Sequence, residues 1–354
     1  MDIIQTKNYA IELGSIQEWG LKSLLSKNYP NAKVVMITDE NSYDYCLEKI
    51  LNQFPELQEA QVLQLPAGEQ YKNLPLVEQI LNVISEHNLS RNDLMINLGG
   101  GVITDMGGFM ASIYKRGIDF INIPTTLLSM VDASIGGKTG VDLGSLKNQI
   151  GVFAEPKALY IDPEFLNTLE PIQIFSGYAE MLKHGLIADK AHWEALKETK
   201  PDVVPSRIDL IKRSIEIKKE VVEKDFKESG LRKILNFGHT VGHAIEGMYL
   251  TKAPIIHGLG VAWGMMVEAK IATELGMLSA DESKEIEEFI LSIYPPIKLE
   301  DEEIEEIMHL IQFDKKNKED KILCALITEI GKCEYDVEVK VGMVEKVLRE
   351  VNVS

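Results

Sequence analysis

Cysteine is scarce in this chain of 354 residues: the 3 present, Cys46, Cys324 and Cys333, are scattered and odd in number. That argues against a disulfide framework and against a cysteine-based zinc module, and it leads to the expectation of reduced thiols in a cytoplasmic protein. Basic residues are in deficit too, with 37 Lys and Arg against 55 Asp and Glu and a net charge of -18. Such a surface repels phosphate backbones and anionic bilayers, so neither nucleic acid nor a membrane is expected as the main partner. No apolar run approaches the roughly 18 residues that a spanning helix needs. The start, Met1-Asp2-Ile3-Ile4-Gln5, lacks the basic and apolar regions of a signal peptide. What remains is an ordinary soluble composition, 45% hydrophobic and 26% charged, in a chain long enough for two cores.

The first half alternates short apolar runs with amphipathic stretches, the pattern of a parallel sheet covered by helices. Lys33 to Thr38, Gln61 to Leu65, Asp93 to Leu98 and Phe120 to Ile123 read as strands. Leu74 to His87 reads as a helix with Leu74, Val77, Leu81 and Ile84 on one face. After Asp162-Pro163 strand signals thin out and helical periodicity dominates, so an α/β, Rossmann-like nucleotide-binding domain is expected over 1–162 and a mainly α-helical metal-binding domain over 163–354. The acidic stretches Asp281 to Glu288 and Glu300 to Glu306 read as solvated helix faces.

Directly after the strand ending at Leu98 comes Gly99-Gly100-Gly101-Val102-Ile103-Thr104-Asp105. Glycines at a strand-to-helix junction let the backbone approach a pyrophosphate, and the helix N-terminus favours its charge. Asp39 and Asn41 follow an early strand where a ribose could be held, and Gly68-Glu69-Gln70-Tyr71-Lys72 follows another. Gly137-Lys138-Thr139 looks like the end of a Walker A loop, but Asp132 stands where its first Gly would be, which disfavours a nucleoside triphosphatase. In the second half, His239 and His243 lie four apart and share a helical face, and His257 can return to them from a following loop. Thr240 stands where the general-base Glu of a zincin helix would be, so protease chemistry is disfavoured. Glu180 and Lys183, three apart in a largely apolar stretch, form either a plain ion pair or a metal-ligand face. Arg232, Asn236, His239 and His243 form one polar stripe if the helix extends that far.

With these residues in view, the chain resembles the 3-dehydroquinate synthase family. The blocks GGGVITDMGGF, YKRG, PTTLLSMVDASIGGKTG, LKNQIG, SGYAEMLKHGLI, LRKILNFGHTVGHAIE and HGLGVAWGM occur in family order. The resemblance implies metal ligation by Glu180, His239 and His257, with Zn2+ or Co2+ as the ion. It implies NAD binding by Asp39, Asn41, Glu69, Lys72, Gly101, Val102, Ile103, Thr104, Asp105, Thr125, Thr126, Lys138 and Lys147, with Phe165, Leu166, Asn167 and Thr168 near the adenosine. Catalytic roles are implied for His243, Glu228, Lys183, Lys218, Asn236 and Asp132, and substrate contacts for Arg116, Asn148, Arg232 and Lys315 or Lys316. One departure is visible: the family usually has an acidic residue after His257-Gly258, where this chain has Leu259-Gly260. The implied activity is a phosphate-eliminating lyase of the shikimate pathway, turning 3-deoxy-D-arabino-heptulosonate 7-phosphate into 3-dehydroquinate. NAD would be kept through the cycle, in a homodimer whose Arg116 reaches the neighbouring subunit. The rivals are 2-deoxy-scyllo-inosose synthase, a polyol dehydrogenase such as glycerol dehydrogenase, and a non-catalytic nucleotide-binding homologue; the first two substrates carry no carboxylate for Arg232.

Overall fold

The computed structural model describes residues 1–144, 146–249, 252–314 and 321–353. The chain divides into two compact units, Met1–Ile174 with Pro205–Lys219, and Phe175–Val204 with Glu220–Ser354. This division differs from the boundary expected after Asp162. The turn Pro163–Thr168 stays with the first unit because Phe165 and Leu166 are buried there, Phe165 against Trp19.

The first unit holds a seven-stranded sheet. In chain order its strands are β1 (Asp2–Gln5), β2 (Ala10–Leu13), β3 (Val34–Asp39), β4 (Gln61–Leu65), β5 (Leu94–Gly99), β6 (Asp119–Pro124) and, after the separate hairpin β7 (Lys138–Leu143) and β8 (Leu146–Phe153), β9 (Ala158–Ile161). The spatial order is β1-β2-β9-β6-β5-β3-β4, and every pairing in it except β1 with β2 is parallel. Strands buried on both faces read as continuous apolar runs, and β5 is buried at all its positions. The chain goes from β3 outward to β4 and then returns to β5 on the other side of β3, so the strand order reverses between β3 and β5. The carboxyl ends at such a reversal are where open α/β sheets bind ligands. The helix Leu74–Glu86 is capped by Asn73, and its buried residues are Val77, Ile80 and Ile84. Leu74, expected on that face, is exposed in the first turn.

The second unit is built from helices that include most of Pro171–Ala188, then His239–Tyr249, His257–Glu274, Ala280–Leu291, Asp301–Asp314 and Val341–Val353. The two acidic stretches fall on the fourth and fifth of these. Within this mainly helical unit, the antiparallel strands β10 (Lys321–Glu329) and β11 (Lys332–Lys340), which were not read from the sequence, form a hairpin. Ile322, Cys324, Ala325, Leu326 and Ile327 supply its buried side while Leu323 stands exposed, and Gly331, with φ +98°, makes the turn. Among the described residues, no helix is long and apolar enough to cross a membrane.

Candidate functional site

In the first unit the expected residues collect at strand ends. Asp39 closes β3, and its Oδ1 accepts from the Ser42 N–H at 2.7 Å and the Ser42 hydroxyl at 2.8 Å, a capping box that fixes the carboxylate. β5 ends at Gly99, Gly100 caps the helix Gly101–Ile113, and the Thr125 N–H donates to the Gly99 carbonyl at 3.0 Å. Lys72, 4% exposed, donates to Asp105 Oδ2 at 2.7 Å and to Asn148 Oδ1 at 2.6 Å. Burial works against the Lys72 ammonium, yet Asp105 and Glu69 outweigh it and its pKa is raised. Glu69 Oε1 stands 3.8 Å from Lys72 Nζ and 3.9 Å from Lys147 Nζ. A second pair, Lys218 Nζ to Asp132 Oδ1 at 2.7 Å, joins two of the residues read as catalytic. Asn41, Lys138, Asn167, Thr168 and Arg116 stand exposed, and Ile103, Thr104, Phe165 and Leu166 are buried. Lys315 and Lys316 lie outside the described residues.

In the second unit three helices deliver side chains to one point. Glu180 is fully buried, and its Oε1 lies 3.3 Å from His239 Nε2 and 3.2 Å from His257 Nε2. The Lys183 ammonium, 1% exposed, contacts the other oxygen. Burial alone would push the Glu180 carboxyl up, but Lys183 and the imidazoles hold it well below the usual carboxylate range. The His243 ring centre is 5.0 Å from that of His239 and 6.0 Å from that of His257. His239 Nδ1 faces the Phe237 carbonyl at 3.1 Å, whereas His257 Nδ1 faces Glu246 Oε2 at 3.2 Å. Burial disfavours the His257 imidazolium, but Glu246 and Glu180 outweigh it and lift the pKa to about 10.

The local sequence explains this convergence. His239 opens one helix and His257 opens the next, so His257 comes from a helix start and not from a loop. A Cβ at Gly264 would fall 1.9 Å from the Gly238 carbonyl oxygen, so glycine there lets the two helices touch backbone to backbone. The expected continuous stripe from Arg232 is broken: Leu231–Asn236 is a separate 3-10 turn, and Gly238 has φ +80°. Arg232 is nevertheless 1% exposed, with Nη1 donating to the Phe226 carbonyl at 2.6 Å, and Asn236 Nδ2 donates to Glu228 Oε1 at 3.1 Å. Among the described residues, three of the six non-glycine residues with positive φ, namely Arg116, Asn148 and Glu228, were singled out from sequence; such conformations gather at functional sites. Sequence reasoning missed Glu246 and Glu268. Glu268, fully buried, accepts from the N–H groups of Gly238 at 2.7 Å and Val241 at 3.1 Å and so caps the His239 helix.

Two imidazole nitrogens and a carboxylate oxygen, all within 4.8 Å of one another, make a donor set of the kind that holds a catalytic divalent cation. Residues 62–176 match the model of the 3-dehydroquinate synthase N-terminal region, and residues 177–317 match that of its C-terminal region. The chain belongs to the 3-dehydroquinate synthase family. Within that family, 3-dehydroquinate synthase of Parabacteroides distasonis is 37% identical over 324 residues, covering 90% of each chain. Among solved structures, 2-deoxy-scyllo-inosose synthase complexed with carbaglucose-6-phosphate, NAD+ and Co2+ has a TM-score of 0.87 at 25% identity, over 99% of this chain and 100% of that one. The 2-epi-5-epi-valiolone synthase of Streptomyces hygroscopicus subsp. jinggangensis 5008, with NAD+ and Zn2+ bound, has a TM-score of 0.83 at 22% identity, over 99% of this chain and 98% of that one, and shares the fold. The chain is a sugar-phosphate cyclase by this membership.

Proposed function

We propose that this protein converts 3-deoxy-D-arabino-heptulosonate 7-phosphate to 3-dehydroquinate and phosphate as an NAD- and divalent-metal-dependent lyase. The observation that carries the reading is the pair of imidazoles on one buried Glu180 oxygen, in a chain whose two halves both match the 3-dehydroquinate synthase models. Glu180, His239 and His257 would hold the cation, Zn2+ or Co2+, which supplies Lewis-acid polarisation of a substrate hydroxyl. Asp39, the Gly101 to Asp105 turn, Glu69, Lys72, Thr125, Thr126 and Lys147 would hold NAD, which supplies reversible hydride transfer at that carbon. The fixed Asp39 carboxylate accepts from ribose hydroxyls and repels a 2′-phosphate, favouring NAD over NADP.

The chain's own residues do the rest. Arg232 supplies a buried planar fork for the substrate carboxylate. Lys183 and Lys218 keep positive charge beside Glu180 and Asp132, and Asn236, held by Glu228, orients a hydroxyl. His243 would carry the proton of the carbon-hydrogen bond that is broken as phosphate leaves. Asn148 and Arg116 bind that phosphate, Arg116 from a second copy, so the active species is a homodimer. Cys46, Cys324 and Cys333 form no disulfide with one another, which supports a reducing, cytoplasmic setting.

The test is a direct comparison of phosphate release from the heptulosonate phosphate and from glucose 6-phosphate, with NAD and zinc present. Turnover of the first alone supports the reading, and turnover of the second alone makes the protein an inosose synthase. Arg232→Lys keeps the charge and loses the fork, so kcat/KM on the heptulosonate phosphate should fall by about 1.5–3 kcal/mol of transition-state binding.

A further inference from the structure

The two imidazoles that meet Glu180 Oε1 are held from behind in different ways. His239 turns its Nδ1 to a backbone carbonyl, which accepts only, so its Nε2 lone pair is left for Glu180's side of the ring. His257 has no such carbonyl; it turns Nδ1 to the carboxylate of Glu246, a residue only 4% exposed. The room for that carboxylate comes from the helix His257–Glu274 itself. A Cβ at Gly260 would stand 2.8 Å from Glu246 Cγ, so any larger residue at 260 would push the Glu246 side chain aside.

We infer that Glu246 is a positioning residue: it fixes the His257 imidazole with the proton on Nδ1 and the Nε2 lone pair turned to the cation held with Glu180 and His239. The inference rests on the metal-site reading above. A neutral imidazole carries its single proton on one nitrogen, and a proton on Nε2 would close that ligand position. A carboxylate acceptor at Nδ1 selects the open tautomer, makes Nε2 more basic and prevents the ring from turning over. Glu246 is thus for His257 what the Phe237 carbonyl is for His239. A competing arrangement is available, because His243, Glu246 and His257 also offer donor atoms within 4.8 Å of one another. In that arrangement Glu246 would be a ligand, and His257 would bind through Nδ1.

The two arrangements differ in a property that can be read without activity. In the full-length wild-type protein labelled with 15N-histidine and loaded with zinc, the inferred role predicts a protonated Nδ1 and a zinc-bound, unprotonated Nε2 at His257. Zinc on Nδ1 would overturn it. Zinc affinity, measured by competition with a chromophoric chelator, should fall about 10- to 100-fold in Glu246→Ala and recover most of that loss in Glu246→Gln, which keeps an acceptor oxygen. Unchanged affinity in a folded Glu246→Ala protein, or equal losses in the two variants, would also overturn it. Wild-type protein that takes up no zinc would instead bring down the metal reading, and this inference with it. Zinc uptake by the wild type with Glu246→Ala unaffected removes this inference alone.

Discussion

The sheet-end cluster of the first unit and the imidazole cluster of the second use opposite means to prepare a binding site. At the sheet ends, glycines and backbone groups at Gly99 to Gly101 do most of the shaping, and the charged pairs Lys72–Asp105 and Lys218–Asp132 stand beside them. In the second unit the shaping is done by buried charge: Glu180, Lys183, Arg232 and Glu268 are each at most 1% exposed. Local backbone geometry makes the first kind of site, so it follows from a short stretch of sequence. Partners far apart in the chain make the second, and Glu180 and His257 are 77 positions apart. The glycine turn of the first should therefore fail when side-chain volume is added, and the second should fail when one charge is removed.

The largest effect is expected at Glu180→Ala. Removal of the carboxylate takes its ion-pair partner from the buried Lys183 ammonium, and breaking a buried pair on one side costs about 3–5 kcal/mol. Urea denaturation of the metal-free variant should register that loss, and stoichiometric zinc should vanish after dialysis. A variant as stable as the wild type would break the contrast between the two regions. Glu268→Ala leaves the Gly238 and Val241 N–H groups buried without their acceptor, at about 1–3 kcal/mol for each unsatisfied group. Thermal unfolding should show the drop, and zinc affinity should weaken because His239 opens the uncapped helix.

In the first unit, Gly107→Ala sharpens the comparison from the other side. A Cβ there would fall 1.9 Å from Asn97 Oδ1, and overpacking of this kind costs about 1–3 kcal/mol. Stability should fall while zinc affinity in the folded fraction stays unchanged. The smallest effect is expected at Asp39→Ala, which loses the capping box at Ser42 for about 0.5–2 kcal/mol. Its clearer signature should be a narrowed preference for NAD over NADP, read by equilibrium binding of the two dinucleotides. An unchanged preference would remove Asp39 from the ribose contact.

The same contrast explains what was legible in the sequence. The strands β3, β4, β5 and β6 declared themselves as short, mostly apolar runs, and the glycine turn after Leu98 falls at the end of β5, beside the point where the strand order reverses. His239 and His243 were readable because four residues is one helical turn. His257 at a helix start was not, because Ala253-Pro254 before it and Gly258 and Gly260 after it read as loop. Glu246 and Glu268 were missed for a related reason: a Glu on a helix ordinarily reads as a solvated face, and only the tertiary partner makes it a buried acceptor. The β10–β11 hairpin escaped because most of its exposed positions are charged and its neighbours on both sides are helical. The Arg232 stripe was drawn too long because a single glycine of positive φ, Gly238, restarts the helix.

Product stoichiometry tests the account most directly. Protein supplied with zinc, NAD and 3-deoxy-D-arabino-heptulosonate 7-phosphate should release one phosphate for each 3-dehydroquinate formed, with no net NADH at any stage of the progress curve. Accumulation of NADH in step with substrate loss, without phosphate release, would contradict it and mark the protein as a dehydrogenase.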